Sequence, residues 1–453
     1  MSLELAFTDK EITPWGGMAL MKQMLDRIGF EQALQASELP QPQSNRGYPP
    51  EQLILQFMVS IWCGANRFEH GEVTRHDPVL KRVFGFARMA NFKAVMRLFR
   101  KFSQGRNRQV FGSLYRWWFT QLTLDRLTLD LDSTVMTRYG EQEGAQRGYL
   151  PMKRGRASHH PLMAFVADAR MITNCWLRPG DTHSANNSEA FLHETLDHLG
   201  GKRVALVRAD SGFCGNGFLE TLENKYLHYI IALRMNQPLQ RAMVDHKAWW
   251  KLDDGIELCS FPYRASSWDK PRRVVCIRQH IEQRAHAKGR TRSLFANDPL
   301  YGQYRYAALV TDLDLADADV WRLYRGRADC ENRLKELKYD FAADSFCLNA
   351  FWATEATLNV VMMAYNLMSL FRQALLKNAA SISKHKNIQQ TLKTLRYKLF
   401  AKAGYLTHEG RKDILKLAVA MHHREWISGL WDRSKTFDLP VHFSPLPMPL
   451  NTS

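Results

Sequence analysis

The spacing of apolar side chains changes character near residue 123, and that change divides the chain. Before it, Met18 to Ile28, Pro50 to Cys63, Val79 to Phe84, Asn91 to Phe102 and Gln109 to Leu122 each carry apolar residues at helical spacing. Turn-forming segments such as Gln41 to Pro50, rich in proline and polar residues, separate them. After it, short apolar runs of strand length take over: Leu127 to Val135, Pro161 to Ala167, Met171 to Arg178, Val204 to Ala209 and His228 to Leu233. An amphipathic helix, Asn187 to Leu199, is predicted between the third and fourth runs, and a shorter one, Phe218 to Lys225, after the fourth.

Three strands in succession, a helix, then strand, helix and strand predict a mixed sheet, the opening order of an RNase H-like α/β core. From residue 236 to 303 the rhythm breaks into short strand candidates, Gly255 to Tyr263 and Arg273 to His280, which read as a β-rich insertion. A strand from Tyr304 to Leu313 resumes the core, and a helix containing Tyr324 to Lys338 follows it, with Asp317 or Asp319 as its cap. Phe351 to Leu375 is a strongly apolar helix, residues 380–430 read as helical and basic, and the proline-rich tail from about 437 as irregular. The predicted organisation is therefore a helical DNA-binding region over 1–122, core over 123–235, insertion over 236–303, core again over 304–376, and a helical basic region with its tail over 377–453.

The 453 residues hold 62 Lys plus Arg against 45 Asp plus Glu, a formal charge of +17, which favours a polyanionic partner and nucleic acid first. An anionic membrane is the weaker choice, because the most apolar run, Leu358 to Phe371, is too short to span and carries Asn359 and Asn366. Glu4, Asp9, Lys10 and Glu11 stand where a targeting segment would be basic and then apolar, so the expected location is the cytoplasm, in association with the nucleoid. Seven scattered cysteines lack metal-ligand spacing, which argues against zinc and against disulfides. The cluster Arg97, Arg100, Lys101, Arg106 and Arg108, interleaved with Phe99, Phe102 and Phe111, reads either as a grip on a DNA backbone or as a solvated helix face.

The candidate chemistry begins in the helix after Tyr304 to Leu313. At about 100° per residue, Tyr324, Arg327, Glu331 and Lys338 fall within roughly a 60° arc, while Leu323, Cys330, Leu334, Leu337 and Phe341 fill the adjoining apolar sector. Asp329 and Glu336 project to the far side. In Leu127 to Val135 the alternation puts Asp130 and Asp132 on one strand face, and Val204 to Ala209 runs apolar until it ends in Asp210, with Gly212 permitting a tight exit. Acids at strand ends beside Glu331 have little reason to gather for stability, and divalent metal would relieve their repulsion. Carboxylates without His or Cys suit two Mg²⁺ or Mn²⁺ ions, which activate a water or a 3′-hydroxyl and stabilise the leaving oxygen of a phosphodiester. Arg154 and Arg156, in a polar loop before a strand, suit phosphate contacts. His159 and His160 read first as hydrogen-bonded structural residues and second as contacts to substrate or DNA; His183, Asn186 and Asn187 read as neighbours of the site, with a cap of the following helix as the other reading of Asn187.

Tyr324, Arg327, Glu331 and Lys338 at their spacing resemble the signature of DDE transposases of the insertion-sequence 4 superfamily. Asp132-Ser-Thr and Ala209-Asp210-Ser-Gly-Phe213 are similar to its two aspartate motifs. Lys153-Arg-Gly-Arg156-Ala-Ser-His-His160 and Arg178-Pro-Gly-Asp-Thr-His-Ser-Ala-Asn-Asn187 resemble the insertion-sequence 1380 branch. The resemblance covers at least residues 125–345. It implies a metal triad of Asp132, Asp210 and Glu331 with two Mg²⁺ (or Mn²⁺) ions, Asp132 being preferred to Asp130 because the family pattern starts at the acid before Ser-Thr. It implies that Arg327 and Lys338 hold phosphates of a transposon end, and that Tyr324 contacts backbone beside a flipped base; Trp249, Trp250 and Trp268 are candidates to stack on that base, each reading equally as a core tryptophan. Lys335, Arg154 and Arg156 complete the expected DNA contacts. The implied activity is cleavage and strand transfer at terminal inverted repeats, with target DNA as second substrate and a homodimer as the synaptic unit. The rivals are a nuclease on the same core and a transposase-derived DNA-binding protein that does not cleave.

Overall fold

The computed structural model describes residues 3–44, 46–148, 155–183, 186–281, 303–377 and 390–443. The chain opens in helices, the longest being α1 (Met18–Ile28), α2 (Pro50–Trp62), α3 (Phe92–Phe99) and α4 (Gln104–Thr120). Their ends follow local chemistry. Pro50 opens α2 where its missing N–H costs nothing, and the Asn91 and Ser103 side chains accept from the Ala94 and Arg106 N–H groups to start α3 and α4. Gly29, at φ 68°, closes α1. Phe99, Phe102 and Phe111 are buried, so the aromatics interleaved with the basic cluster serve the core, while Arg97, Arg100, Lys101 and Arg108 stay exposed.

The sheet then forms in the expected order. β1 (Leu127–Ser133), β2 (Leu162–Val166) and β3 (Met171–Trp176) pair antiparallel. After α5 (Ser188–His198), β4 (Val204–Ala209) lies parallel to β1, and after α6 (Asn216–Asn224), β5 (Tyr229–Ala232) lies parallel to β4. The segment read as an insertion supplies β6 (Trp250–Asp253), β7 (Ile256–Tyr263) and β8 (Arg272–His280), and β9 (Tyr304–Thr311) follows. These strands continue the same sheet, whose order is β6-β7-β8-β9-β5-β4-β1-β2-β3. The outer edge of β5, which would otherwise present unpaired N–H and C=O groups, pairs with β9.

The helix expected over Tyr324 to Lys338 is two helices, α7 (Asp317–Arg325) and α8 (Ala328–Tyr339), joined at Gly326 and Arg327. α9 (Phe351–Phe371) is buried along nearly its whole length and packs against β3 and α2. Its two asparagines have work there: Asn366 both accepts from the Ile172 N–H and donates to the Ile172 carbonyl, and Asn359 donates to the Cys175 carbonyl. They satisfy the free edge of β3. Among the described residues no helix is long and apolar enough to cross a membrane.

The helical reading of 380–430 is corrected. Its described part contains a hairpin, β10 (Gly404–Glu409) and β11 (Lys412–Leu417), before α10 (Met421–Thr436). Gly410, at φ 63°, supplies the tight turn, a signal that the basic composition of the segment masked. In the tail, Val441–His442 pairs with Leu122–Thr123.

Candidate active site

The parallel pairing of β1 with β4 puts Asp130 opposite Arg208 and Leu131 opposite Ala209. Asp132 on β1 and Asp210 just past β4 therefore emerge side by side. Asp132 is buried, with Oδ1 accepting from the Ser133 N–H at 2.8 Å and Oδ2 standing 3.0 Å from Arg327 Nη2. Burial pushes its carboxyl up to about 6; Arg327 opposes this, and Asp210 and Glu331 add to it by repulsion. Both other acids are thus near enough for Asp132 to feel their charge. Asp210 caps the short turn Ser211–Phe213, its Oδ1 accepting from the Gly212 N–H at 2.9 Å. Glu331 lies exposed in the first turn of α8, where the helix dipole favours a carboxylate.

The cations arrive from the seam and from α8. Arg327, at the N-cap of α8, is buried, and it donates to the Leu131 carbonyl at 3.3 Å as well as facing Asp132. Burial works against its charge, yet Asp132 holds its pKa above the ordinary value. Lys338 donates to the Val135 carbonyl at 3.0 Å, just past β1, and burial lowers its pKa. Tyr324 donates to the Ala209 carbonyl at 3.4 Å, and burial raises its hydroxyl. Asp132, Asp210, Tyr324, Arg327 and Lys338 are thus drawn around the ends of β1 and β4, with Glu331 beside them.

Other expected residues go elsewhere. Lys335 is exposed and lines a separate cavity with Arg170, Arg333 and Arg372. Arg156 is exposed, its guanidinium 5.8 Å from the Tyr139 ring centre. Arg154 lies outside the described residues, as do Arg284, Lys288, Arg290 and Arg292 of a basic stretch that the sequence carries from Lys270 to Arg292. The described arginines of that stretch are engaged: Arg272 with Glu223, Arg273 with Asp317, Arg278 with Glu257. His159 is fully buried; Nδ1 accepts from Arg138 Nε and Nε2 donates to the Glu143 carbonyl, so the neutral ring is held as a structural residue. Asn187 precedes α5 but makes no side-chain cap bond. Trp268 is buried against Arg272, Trp249 carries the Arg278 guanidinium over its ring, and Trp250 donates to Asp317. A cavity of about 440 Å³ next to Glu331 is lined instead by Tyr306, Trp321 and Tyr324.

One contributor was not singled out from sequence. Arg208 on β4 makes a fully buried, two-pronged ion pair with Asp130. Its signal was available: Arg208 precedes Asp210 by two residues, as Asp130 precedes Asp132, so both share a strand face with a proposed site acid.

The donor set can be tested against a divalent ion. Among the described residues no three His, Cys, Asp or Glu side chains stand together as a metal-holding group. Asp132 faces Arg327 and Asp210 is bonded to its own turn. The donor chemistry itself fits Mg²⁺ or Mn²⁺, because the three acids offer hard oxygens. Cys330, whose Sγ is 3.9 Å from Asp132, is kept protonated by burial and is no ligand.

This is a mixed α/β protein with acids at two adjacent strand ends and cations brought to them by a helix pair. A family model described as transposase DDE domain group 1 matches residues 1–436, and the chain belongs to that family. It is therefore a DDE transposase-domain protein, which implies transposase or endonuclease activity. Among solved structures, a piggyBac transposase synaptic complex with hairpin DNA, determined by cryo-EM, aligns over 93% of this chain and 88% of that one, at 12% identity and a TM-score of 0.42. No curated protein matches the sequence.

Proposed function

We propose that this chain is the transposase of a bacterial insertion sequence of the insertion-sequence 4 superfamily, nearest to its 1380 branch. It binds the terminal inverted repeats of its element, cleaves the ends and joins them to target DNA as a synaptic homodimer. The observation that carries this reading is the parallel pairing of β1 with β4, which sets Asp132 and Asp210 at adjacent strand ends, with Arg327 of the helix seam 3.0 Å from Asp132. The strand order β3-β2-β1-β4-β5, three antiparallel and two parallel, supports an RNase H-like core.

Asp132, Asp210 and Glu331 would hold two Mg²⁺ or Mn²⁺ ions, which when bound polarise the phosphodiester and sharpen the attacking oxygen. Arg327 and Lys338 neutralise phosphate beside the acids, and Arg156 extends the contact outward. Tyr306, Trp321 and Tyr324 offer aromatic faces next to Glu331 for an unstacked base, a role for which buried Trp268 is unsuited.

Substituting Asp132, Asp210 or Glu331 by Ala should abolish Mg²⁺-dependent end cleavage while leaving inverted-repeat binding within about twofold. Full cleavage by any one of these variants would sink the triad. A pre-cleaved end supplied with a target plasmid should yield joined product; cutting without joining would assign a nuclease instead.

A further inference from the structure

We propose that Arg208 is the positioning residue that sets the three carboxylates in register, an inference that rests on the triad reading above. The three acids come from separate elements, so something must fix the helix that bears Glu331 against the strands that bear the other two. Arg208 reaches both. Its Nε donates to Asp130 Oδ1 at 2.6 Å and its Nη2 to Asp130 Oδ2 at 2.9 Å, closing β4 onto β1 two residues before Asp210 and Asp132. Its third nitrogen, Nη1, donates to the Leu323 carbonyl in the last turn of α7.

That carbonyl is available because the helix tightens at the seam. The Arg327 N–H bonds to the Tyr324 carbonyl, three residues back, rather than to that of Leu323. The guanidinium also passes close to Gly326, where an added Cβ would stand 2.7 Å from Nη1. Where α7 stops and α8 starts is thus set against Arg208. Arg327, which faces Asp132, and Glu331, one turn on, inherit their positions from that point. Arg208 and Asp130 are 2% and 1% exposed. A buried pair of this kind is a poor source of stability compared with apolar residues of similar volume, whereas its directional bonds specify a geometry.

The test removes the pair jointly, so that no lone charge is left buried. Asp130→Leu with Arg208→Met should fold and bind inverted-repeat DNA within about twofold of the wild type. Its single-turnover end cleavage should fall about 100-fold, the order expected when a reacting group is misplaced by about 1 Å. The second readout does not depend on activity: Fe²⁺ in place of Mg²⁺, with hydroxyl-radical backbone cleavage mapped by mass spectrometry. In the wild type, cuts are expected near residues 132, 210 and 331. In the double variant the cut near 331 should weaken about tenfold relative to that near 132, as the helix loses its tie to the strands.

Wild-type cut ratios with wild-type cleavage in the double variant would overturn the inference. If that variant does not fold, Arg208→Lys, which keeps the charge but cannot reach Asp130 and Leu323 together, decides the matter by the same two readouts. A failure of the triad itself has a different signature: no iron cuts near the three acids in the wild type, or retained cleavage by Glu331→Ala.

Discussion

Buried carboxyls in this chain have different fates, and their neighbours decide which. Asp130 meets a guanidinium at two points. Glu355 on α9 meets only neutral donors, Asn107 Nδ2 at 3.0 Å and the Leu177 N–H at 2.9 Å, and burial pushes its pKa up to about 7 despite them. With a folded pKa above the unfolded value, the native chain binds more protons than the unfolded chain between about pH 4.5 and 7, so stability falls as pH rises through that window. Glu355→Gln, fixed neutral, is expected to gain on the wild type between about pH 5 and 8 by about 1–3 kcal/mol in urea denaturation. An equal difference at both ends would mean that the carboxyl is ionised throughout. At the surface, Arg156 is exposed, and its proposed phosphate contact has a direct test. Arg156→Ala should reduce the slope of log K against log salt for end binding by about 1, and an unchanged slope would remove it from the DNA contacts.

At the scale of elements, the seam between α7 and α8 is where propensity and packing disagree. Gly326 has helical φ −57° and ψ −19°, a conformation any residue adopts, so propensity alone favours Ala there by about 1 kcal/mol. Against that, the added Cβ would meet Arg208 Nη1 at 2.7 Å and the Leu323 carbonyl at 3.3 Å. Arg208 cannot swing aside without breaking its bonds to Asp130, so packing wins. Gly326→Ala is expected to lower stability by about 1–3 kcal/mol, read from the urea midpoint. A stabilised variant would show that the guanidinium is free to move.

Across the whole molecule, the helices of the N-terminal third are not a separable unit. Trp62 donates to the Ala364 carbonyl and Tyr115 to Asn359, both on α9. Arg396 donates to the carbonyls of Ile61 and Trp62. Gly17 packs so closely that a Cβ would stand 2.0 Å from the Leu399 carbonyl, and one apolar cluster runs from Met18 to Phe443. Residues 1–122 expressed alone are therefore expected to show no cooperative thermal transition by near-ultraviolet circular dichroism, since most of their apolar faces would be left in water. A sharp, independent melt would establish an autonomous domain. The charge of +17 is also spent unevenly. Arg272, Arg273, Arg278, Arg333 and Arg372 are tied to acids, whereas Arg97, Arg100 and Lys101 on α3 and its following loop are exposed.

Much of this was legible from local pattern. The extents of α1 and β4 agree with their apolar periodicity to the residue, because a face that must be buried repeats at the period of its backbone. The positions of Asp132 and Asp210 near the ends of two apolar strands were legible, whereas the arc that singled out Glu331 presumed one helix, and Tyr324 lies on α7 while Glu331 and Lys338 lie on α8. What periodicity does not carry is partnership between distant segments. That β6 to β8 widen the core sheet depends on the free edge of β5. The break at Gly326 depends on Arg208, more than a hundred residues earlier in the chain. The β10–β11 hairpin, hidden in a basic stretch, depends on a single left-handed glycine. The amino-acid order by itself determined which residues are chemically able to form the site; only the tertiary structure decided which of them meet, because hydrogen bonds and ion pairs are set by distances that the order of residues does not contain.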